Sequence, residues 1–236
     1  MFVVSRTFRI MKDMMWRTCL IFGWALSVCL PSSGKASYSI ALSDLKAGQY
    51  PAALATIEQV LKEDPKSAAA LELKGRILTR MQRPAEAMQA LESALASDPE
   101  RPSIHFHMGR ALFLESRWPE ATGAFRHSLE LDPENRDPIL PLIYCLVVME
   151  NYPAAHQWVS TLDPTNESDP DYYFARAAMA LAIDQPEDAM QVLQQARTIY
   201  STEIYLQYEP DFLHLTQALR GSASASAPPA PAPQSP

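Results

Sequence analysis

The sequence predicts an all-α fold, a solenoid of five helix pairs followed by a C-terminal capping helix, and three observations predict it. Glycine occurs only seven times in 236 residues, while Ala, Leu, Glu, Gln and Met abound, a composition whose intrinsic propensities favour helix. Ala53, Ala87, Ala121, Ala155 and Ala189 stand 34 residues apart, a spacing that marks stacked repeats. Within each period two amphipathic stretches follow one another, each with apolar residues at helical spacing.

The first element is an address. Arg6, Arg9, Lys12 and Arg17 precede the apolar run Cys19–Leu30, and small or polar residues follow, ending in Gly34-Lys35-Ala36. This order reads as a secretory signal peptide over residues 1–36, cut after Ala36. The run is too short to span a bilayer comfortably, which takes roughly twenty apolar residues. Met11 is an alternative start. Leu26-Ser27-Val28-Cys29 offers a second reading, a lipidation site at Cys29, although Val28 stands where a small residue is usual. Retention of the segment as an anchor is a third. The expectation is export to the periplasm or the medium, with a membrane role only if the segment is retained or Cys29 is lipidated.

Beyond residue 36 the chain holds 15 basic and 26 acidic residues, a net −11 against −7 for the whole sequence. No basic stripe with interleaved aromatics occurs, which argues against a nucleic-acid partner. Cys145 is the one cysteine beyond the apolar run, so packing rather than a disulfide must stabilise the fold.

Further registers share the period. Ile57, Leu91, Phe125, Val159 and Leu193 stand four residues after the alanines, and Tyr50, Pro84, Trp118, Tyr152 and Pro186 three before. Asp64-Pro65, Asp98-Pro99 and Asp132-Pro133 close the first three units, because proline disfavours helical geometry in the residue before it. In the third unit His105, Met108, Gly109 and Leu112 form one stripe, and Ala121, Phe125, Ser128 and Leu129 its complement. A small residue such as Gly109 or Ala121 lets the two helices approach closely.

These residues resemble the tetratricopeptide repeat, whose pattern is a large residue, Leu-Gly, Tyr, Ala, Phe and a closing Pro. Residues 102–135 match through Met108-Gly109, Leu112, Trp118, Ala121, Phe125 and Asp132-Pro133. The other repeats are then 34–67, 68–101, 136–169 and 170–203. The resemblance implies a right-handed superhelix over residues 37–203, with the first helix of each pair lining a concave groove. Lys74 and Arg176 depart from it at usually apolar positions, and Asp44 replaces an aromatic, which makes the first repeat a candidate solvent-facing cap. The fourth repeat has Asp163-Pro164 three residues early and then the polar loop Thr165–Asp169, where a distortion is expected. Residues 204–221, carrying Ile204, Leu206, Phe212, Leu213, Leu215 and Leu219, should cap the open end of the stack, broken near Pro210. Residues 222–236, rich in Ala, Pro and Ser, should be disordered.

No nucleophile elbow, phosphate loop, dinucleotide fingerprint or metalloprotease motif occurs, so no catalytic site, cofactor or metal is expected. His105 reads as a core-edge residue, His105 and His107 point to different faces, and Cys145 sits in an apolar run as a small hydrophobe. What remains is the groove. By position it takes Glu72, Leu73, Arg76, Thr79 and Arg80 from the second repeat and Phe106, His107, Arg110, Phe113 and Leu114 from the third. The fourth contributes Leu140, Tyr144, Val147 and Val148, and the fifth Phe174 and Leu181. The candidate partner-binding residues are Arg76, Arg80, Phe106, His107, Arg110, Phe113 and Tyr144. Large aromatics and arginines are the usual energetic centres of interfaces, so the expected partner is an acidic, partly apolar protein or peptide. Leu73 and Ser103 replace polar or basic groups of the family's carboxylate clamp, which argues against chaperone-tail binding. The alternative is a self-associating or assembly-factor scaffold of the cell envelope, as in pilus or outer-membrane assembly.

Overall fold

The structure, a computed structural model, describes residues 33–165 and 170–226. The basic start and apolar run of the candidate signal, residues 166–169 of the polar loop, and residues 227–236 of the candidate tail lie outside them. Five helix pairs follow in order: α1 (Ser33–Lys46) with α2 (Tyr50–Glu63), α3 (Ala68–Arg80) with α4 (Pro84–Ser97), and α5 (Pro102–Leu114) with α6 (Trp118–Leu131). The last two are α7 (Ile139–Val148) with α8 (Tyr152–Val159), and α9 (Asp171–Ala182) with α10 (Pro186–Ile199). A long helix, α11 (Thr202–Ser226), completes the right-handed solenoid. No helix among the described residues is long and apolar enough to cross a membrane.

The second helix of every pair carries proline in its first turn, where the missing N–H would be unbonded anyway. Asp64, Asp98 and Asp132 end α2, α4 and α6 in extended geometry (ψ 87, 83 and 87°), as the following prolines require. Between first and second helices a shared turn recurs. Gly48, Gln82, Ser116, Glu150 and Asp184 all have positive φ and stand 34 residues apart. After each, a backbone N–H reaches back five residues, as Arg83 to Leu78 O at 2.9 Å and Asn151 to Leu146 O at 2.8 Å. This left-handed helix ending consumes carbonyls that would otherwise lack a donor. Four of the five positions are not glycine, so each holds a conformation that a Cβ disfavours.

The five periodic alanines are sealed, at 0% exposure for Ala53, Ala87, Ala121 and Ala155 and 2% for Ala189. The close approach expected at Gly109 is present: a Cβ there would lie 2.6 Å from Cδ1 and Cε1 of Phe125. Gly75 faces Leu91 in the same way, with 2.5 Å to Cγ. Lys74 and Arg176 keep their charges at the surface, Lys74 Nζ 3.1 Å from Glu58 Oε1 and Arg176 over the Tyr172 ring at 5.7 Å. His105 is half-buried and meets His127 edge-on at 4.4 Å between ring centroids.

The expected distortion falls in the fourth repeat. Its second helix, α8, has 8 residues where the other four second helices have 14. Asp163 then accepts from the Thr165 N–H (2.8 Å) and hydroxyl (2.7 Å). These two bonds hold its carboxyl below the usual carboxylate range.

The C-terminal segment departs from expectation in three ways. It is one continuous helix through Pro210, which is exposed and cannot donate to the Leu206 carbonyl. It extends to Ser226, five residues into the stretch expected to be disordered. Its inward face keeps Phe212 and Leu215, with Ile204 and Leu219 partly buried, and adds Tyr205, while Leu206 and Leu213 of the expected set stand 52% and 51% exposed.

Candidate functional site

Because α11 is long and only two residues separate it from α10, it does not stop at the last repeat. It packs on α7, α9 and α10, and its aromatic face meets first helices of three repeats. Phe212 lies 5.6 Å from Phe174 of α9 and 6.2 Å from Tyr144 of α7, ring to ring, and His214 lies 5.1 Å from Phe113 of α5. Two polar contacts fix the far end on α5. Arg110 pairs with Asp211 (Nη2 to Oδ2, 2.8 Å), and the His214 ring approaches the Phe113 carbonyl at 2.9 Å through Nε2. The C-terminal half of the groove is thus filled by the chain itself.

This corrects part of the expected site. Phe113 and Tyr144, read from position as open groove residues, are 2% and 0% exposed, covered by α11 as well as by neighbouring repeats. Phe106 is 9% exposed, because it packs between Phe125 (6.1 Å) and His107 (5.0 Å). Leu73, Thr79, Leu140, Val147 and Phe174 are likewise buried. The Tyr144 hydroxyl is buried with no hydrogen-bond partner among the described residues; desolvation, then Asp211 and Asp171, raise its pKa well above the ordinary phenol value.

A cleft of about 850 Å³ stays open over the N-terminal half and runs on to α7, α9 and α11; its lining includes Arg76, Arg80, Phe106, His107, Arg110, Tyr144 and Asp211. Arg76 and Arg80 project from α3 one turn apart, and Arg110 occupies on α5 the position of Arg76 one repeat on. Their situations differ. Arg110 is tied to Asp211 and lies 6.0 Å from the Phe106 ring centroid. Arg76 and Arg80 form no ion pair among the described residues. Burial, then Arg110, lowers the pKa of Arg80 below its ordinary value, with Asp211 acting the other way. His107 is held well below the ordinary imidazole range by burial first, then by Arg76, Arg110 and Arg80. Its ring is therefore neutral near pH 7, and the 3.6 Å approach to Glu72 Oε1 is not a charge pair there.

Positional reasoning from the sequence missed Arg101 as a structural partner and the reach of the capping helix α11 back to the third repeat. Glu72 is 9% exposed and bound by Arg101 at 3.3 Å, which Asp98 also holds at 2.8 Å. The signal for α11 was present in Tyr205, Phe212, Leu215 and Leu219, spaced i, i+7, i+10 and i+14. No group of three or more His, Cys, Asp or Glu side chains able to hold a metal exists among the described residues.

Tetratricopeptide repeat profiles match residues 38–102 and 80–136, and a second such profile matches residues 112–182. No curated protein sequence matches the chain. Among solved structures it is similar to TTC0263, a thermophilic TPR protein of Thermus thermophilus, at 16% identity and TM-score 0.63 over 76% of this chain and 99% of that one. It is also similar to the MamA protein, at 14% identity and TM-score 0.54 over 86% of this chain and all of that one. Periodic sealed alanines, glycines under large side chains and the profile matches across residues 38–182 lead to one conclusion: the chain belongs to the tetratricopeptide repeat family.

Proposed function

We propose that the protein is a non-catalytic interaction scaffold whose open N-terminal groove takes an acidic, partly apolar segment of a protein partner. One observation carries this reading: Arg76 and Arg80 line the cleft without a carboxylate partner among the described residues, while Arg101 and Arg110 beside them are paired. Two arginines held a turn apart repel each other until an anion joins them. Charge-assisted hydrogen bonds of that kind contribute about 1.5–3 kcal/mol each. The adjoining Phe106 edge supplies apolar surface.

The test is fluorescence anisotropy with a labelled synthetic peptide of alternating Glu and Phe, with a Lys/Phe peptide as control. The Glu/Phe peptide binds and the Lys/Phe peptide does not; Arg76→Glu with Arg80→Glu abolishes binding while helical circular dichroism is kept. Equal binding of both peptides, or retention by the double variant, overturns the reading. Arg110 is left unchanged in this test, since its replacement would also release α11.

The basic start and apolar run of residues 1–36 support export to the periplasm or medium as the site of action, and sequencing of an exported species that begins at Ser37 tests that. An acylated Cys29 would instead indicate a lipoprotein. The alternative, a self-associating envelope scaffold, draws on Leu206 and Leu213, exposed seven residues apart on the outer face of α11. Sedimentation across a concentration range separates it from a monomeric receptor.

A further inference from the structure

A helix that only sealed the end of the stack would need to touch only the last repeat. α11 does more, because its contacts run back two repeats to Arg110 and Phe113 on α5. Its inward stripe has the composition of a ligand rather than of a plain cap: Tyr205, Phe212 and Leu215 are buried, with a carboxylate, Asp211, set among them against a groove arginine. The same docking leaves the Tyr144 hydroxyl buried without a partner among the described residues, a cost that release of the helix relieves. The joint to α10 is the extended residue Tyr200 followed by exposed Ser201. Tyr200 is itself held, 5% exposed and 5.9 Å from the Tyr173 ring, so release is a swing of α11 about a fixed point.

We propose that α11 is a built-in competitor for the C-terminal half of the groove, and that this half receives from a partner an amphipathic helix of the same chemistry. That helix carries an aromatic residue, a carboxylate six residues on, and an aromatic residue immediately after the carboxylate. The carboxylate takes Arg110 from Asp211, and the aromatics take the places of Tyr205 and Phe212 over Phe174 and Tyr144. This concerns the surface that α11 covers, which adjoins the open cleft and shares Arg110 and Tyr144 with its lining, and not the pair Arg76 and Arg80.

An internal competitor on a short tether acts at an effective concentration on the order of millimolar, so an external helix binds wild type weakly and binds a loosened variant better. The probe is a labelled peptide of residues 202–219 of this chain, titrated into the full-length protein. Asp211→Arg in the protein places two cations together and frees Arg110; it binds the probe about tenfold more tightly than wild type. A probe carrying Arg at the Asp211 position binds neither protein. Amide exchange read in parallel speeds up across 204–219 in the variant and stays at wild-type rates in α3 and α4. A second variant, His214→Ala, removes the contact with the Phe113 carbonyl and the ring contacts with Phe113 and Trp118 while leaving Asp211 on Arg110, and it shifts probe affinity in the same direction by about threefold. Probe affinity unchanged in both variants while α11 amides loosen would show that the groove does not receive such a helix. Unchanged protection of α11 in both variants would show that these contacts do not hold it closed.

Discussion

Position 8 and position 24 of each repeat form a matched pair, and one double-mutant cycle tests whether this match stabilises the fold. The five pairs are Ala41 with Ile57, Gly75 with Leu91, Gly109 with Phe125, Ile143 with Val159, and Ala177 with Leu193. At the third, a Cβ on residue 109 would fall 2.6 Å from two carbons of the Phe125 ring and 3.0 Å from a third. The ring cannot step aside freely, since Phe125 is fully buried. Gly109→Ala gains about 1 kcal/mol of helix propensity and loses about 1–3 kcal/mol to overpacking, so its net effect is destabilisation of roughly 1 kcal/mol. Phe125→Ile leaves part of the ring volume empty and costs about 2 kcal/mol, roughly half the loss of a buried Phe→Ala. Together the two substitutions rebuild the Ala41–Ile57 pair of the first repeat. The double variant should therefore lose at least about 1 kcal/mol less than the sum of the single losses, a coupling expected only of residues in contact. Urea unfolding of all four proteins, followed by circular dichroism, gives the numbers. Additive losses within about 0.3 kcal/mol would refute the matched-pair account.

Three further outcomes follow from the structure. Glu150 is exposed at φ 58°, so Glu150→Gly should raise stability by about 0.5–1 kcal/mol and Glu150→Val should lower it, read from urea midpoints. Burial pushes the Cys145 thiol up to about 12, so near neutral pH it is protonated and enclosed; iodoacetamide should modify it only as fast as the protein opens, as measured by peptide mapping. His107 titrates well below the ordinary imidazole value because of burial and the three arginines. The unfolded chain therefore binds the extra proton. Its contribution to stability is complete above the unfolded value of about 6.5 and is lost as pH falls below that. The thermal midpoint of His107→Gln should accordingly fall less on acidification than that of wild type.

The repeat frame was legible because helix stacking places the same demand at the same position every 34 residues, and Ala53 through Ala189 meet it with one residue type. The turns were not, although they recur as strictly. Gly48, Gln82, Ser116, Glu150 and Asp184 share a backbone conformation with no common side chain, because the surrounding helices impose it. Within the candidate site, position alone identified Arg76, Arg80 and Arg110 as groove residues. It did not reveal that Phe113 and Tyr144 are buried, since periodicity reports which face of a helix is apolar and not what covers that face. The direction taken by α11 depends on the extended backbone at Tyr200 and on the Asp211–Arg110 contact, and neither is a periodic feature.

That contact joins residues 101 positions apart, in an array whose other ties run mostly between neighbours. During synthesis the first three repeats emerge and pack while Arg110 still has no Asp211. At translation rates of about 5–20 residues per second, the 101 residues between them take roughly 5–20 s to add. For that interval the nascent chain lacks the α11 cover over Phe113 and, once it is made, over Tyr144. Because α11 follows all five repeats in the chain, a chain cut short before Asp211 would carry all five with no helix over Phe113 and Tyr144.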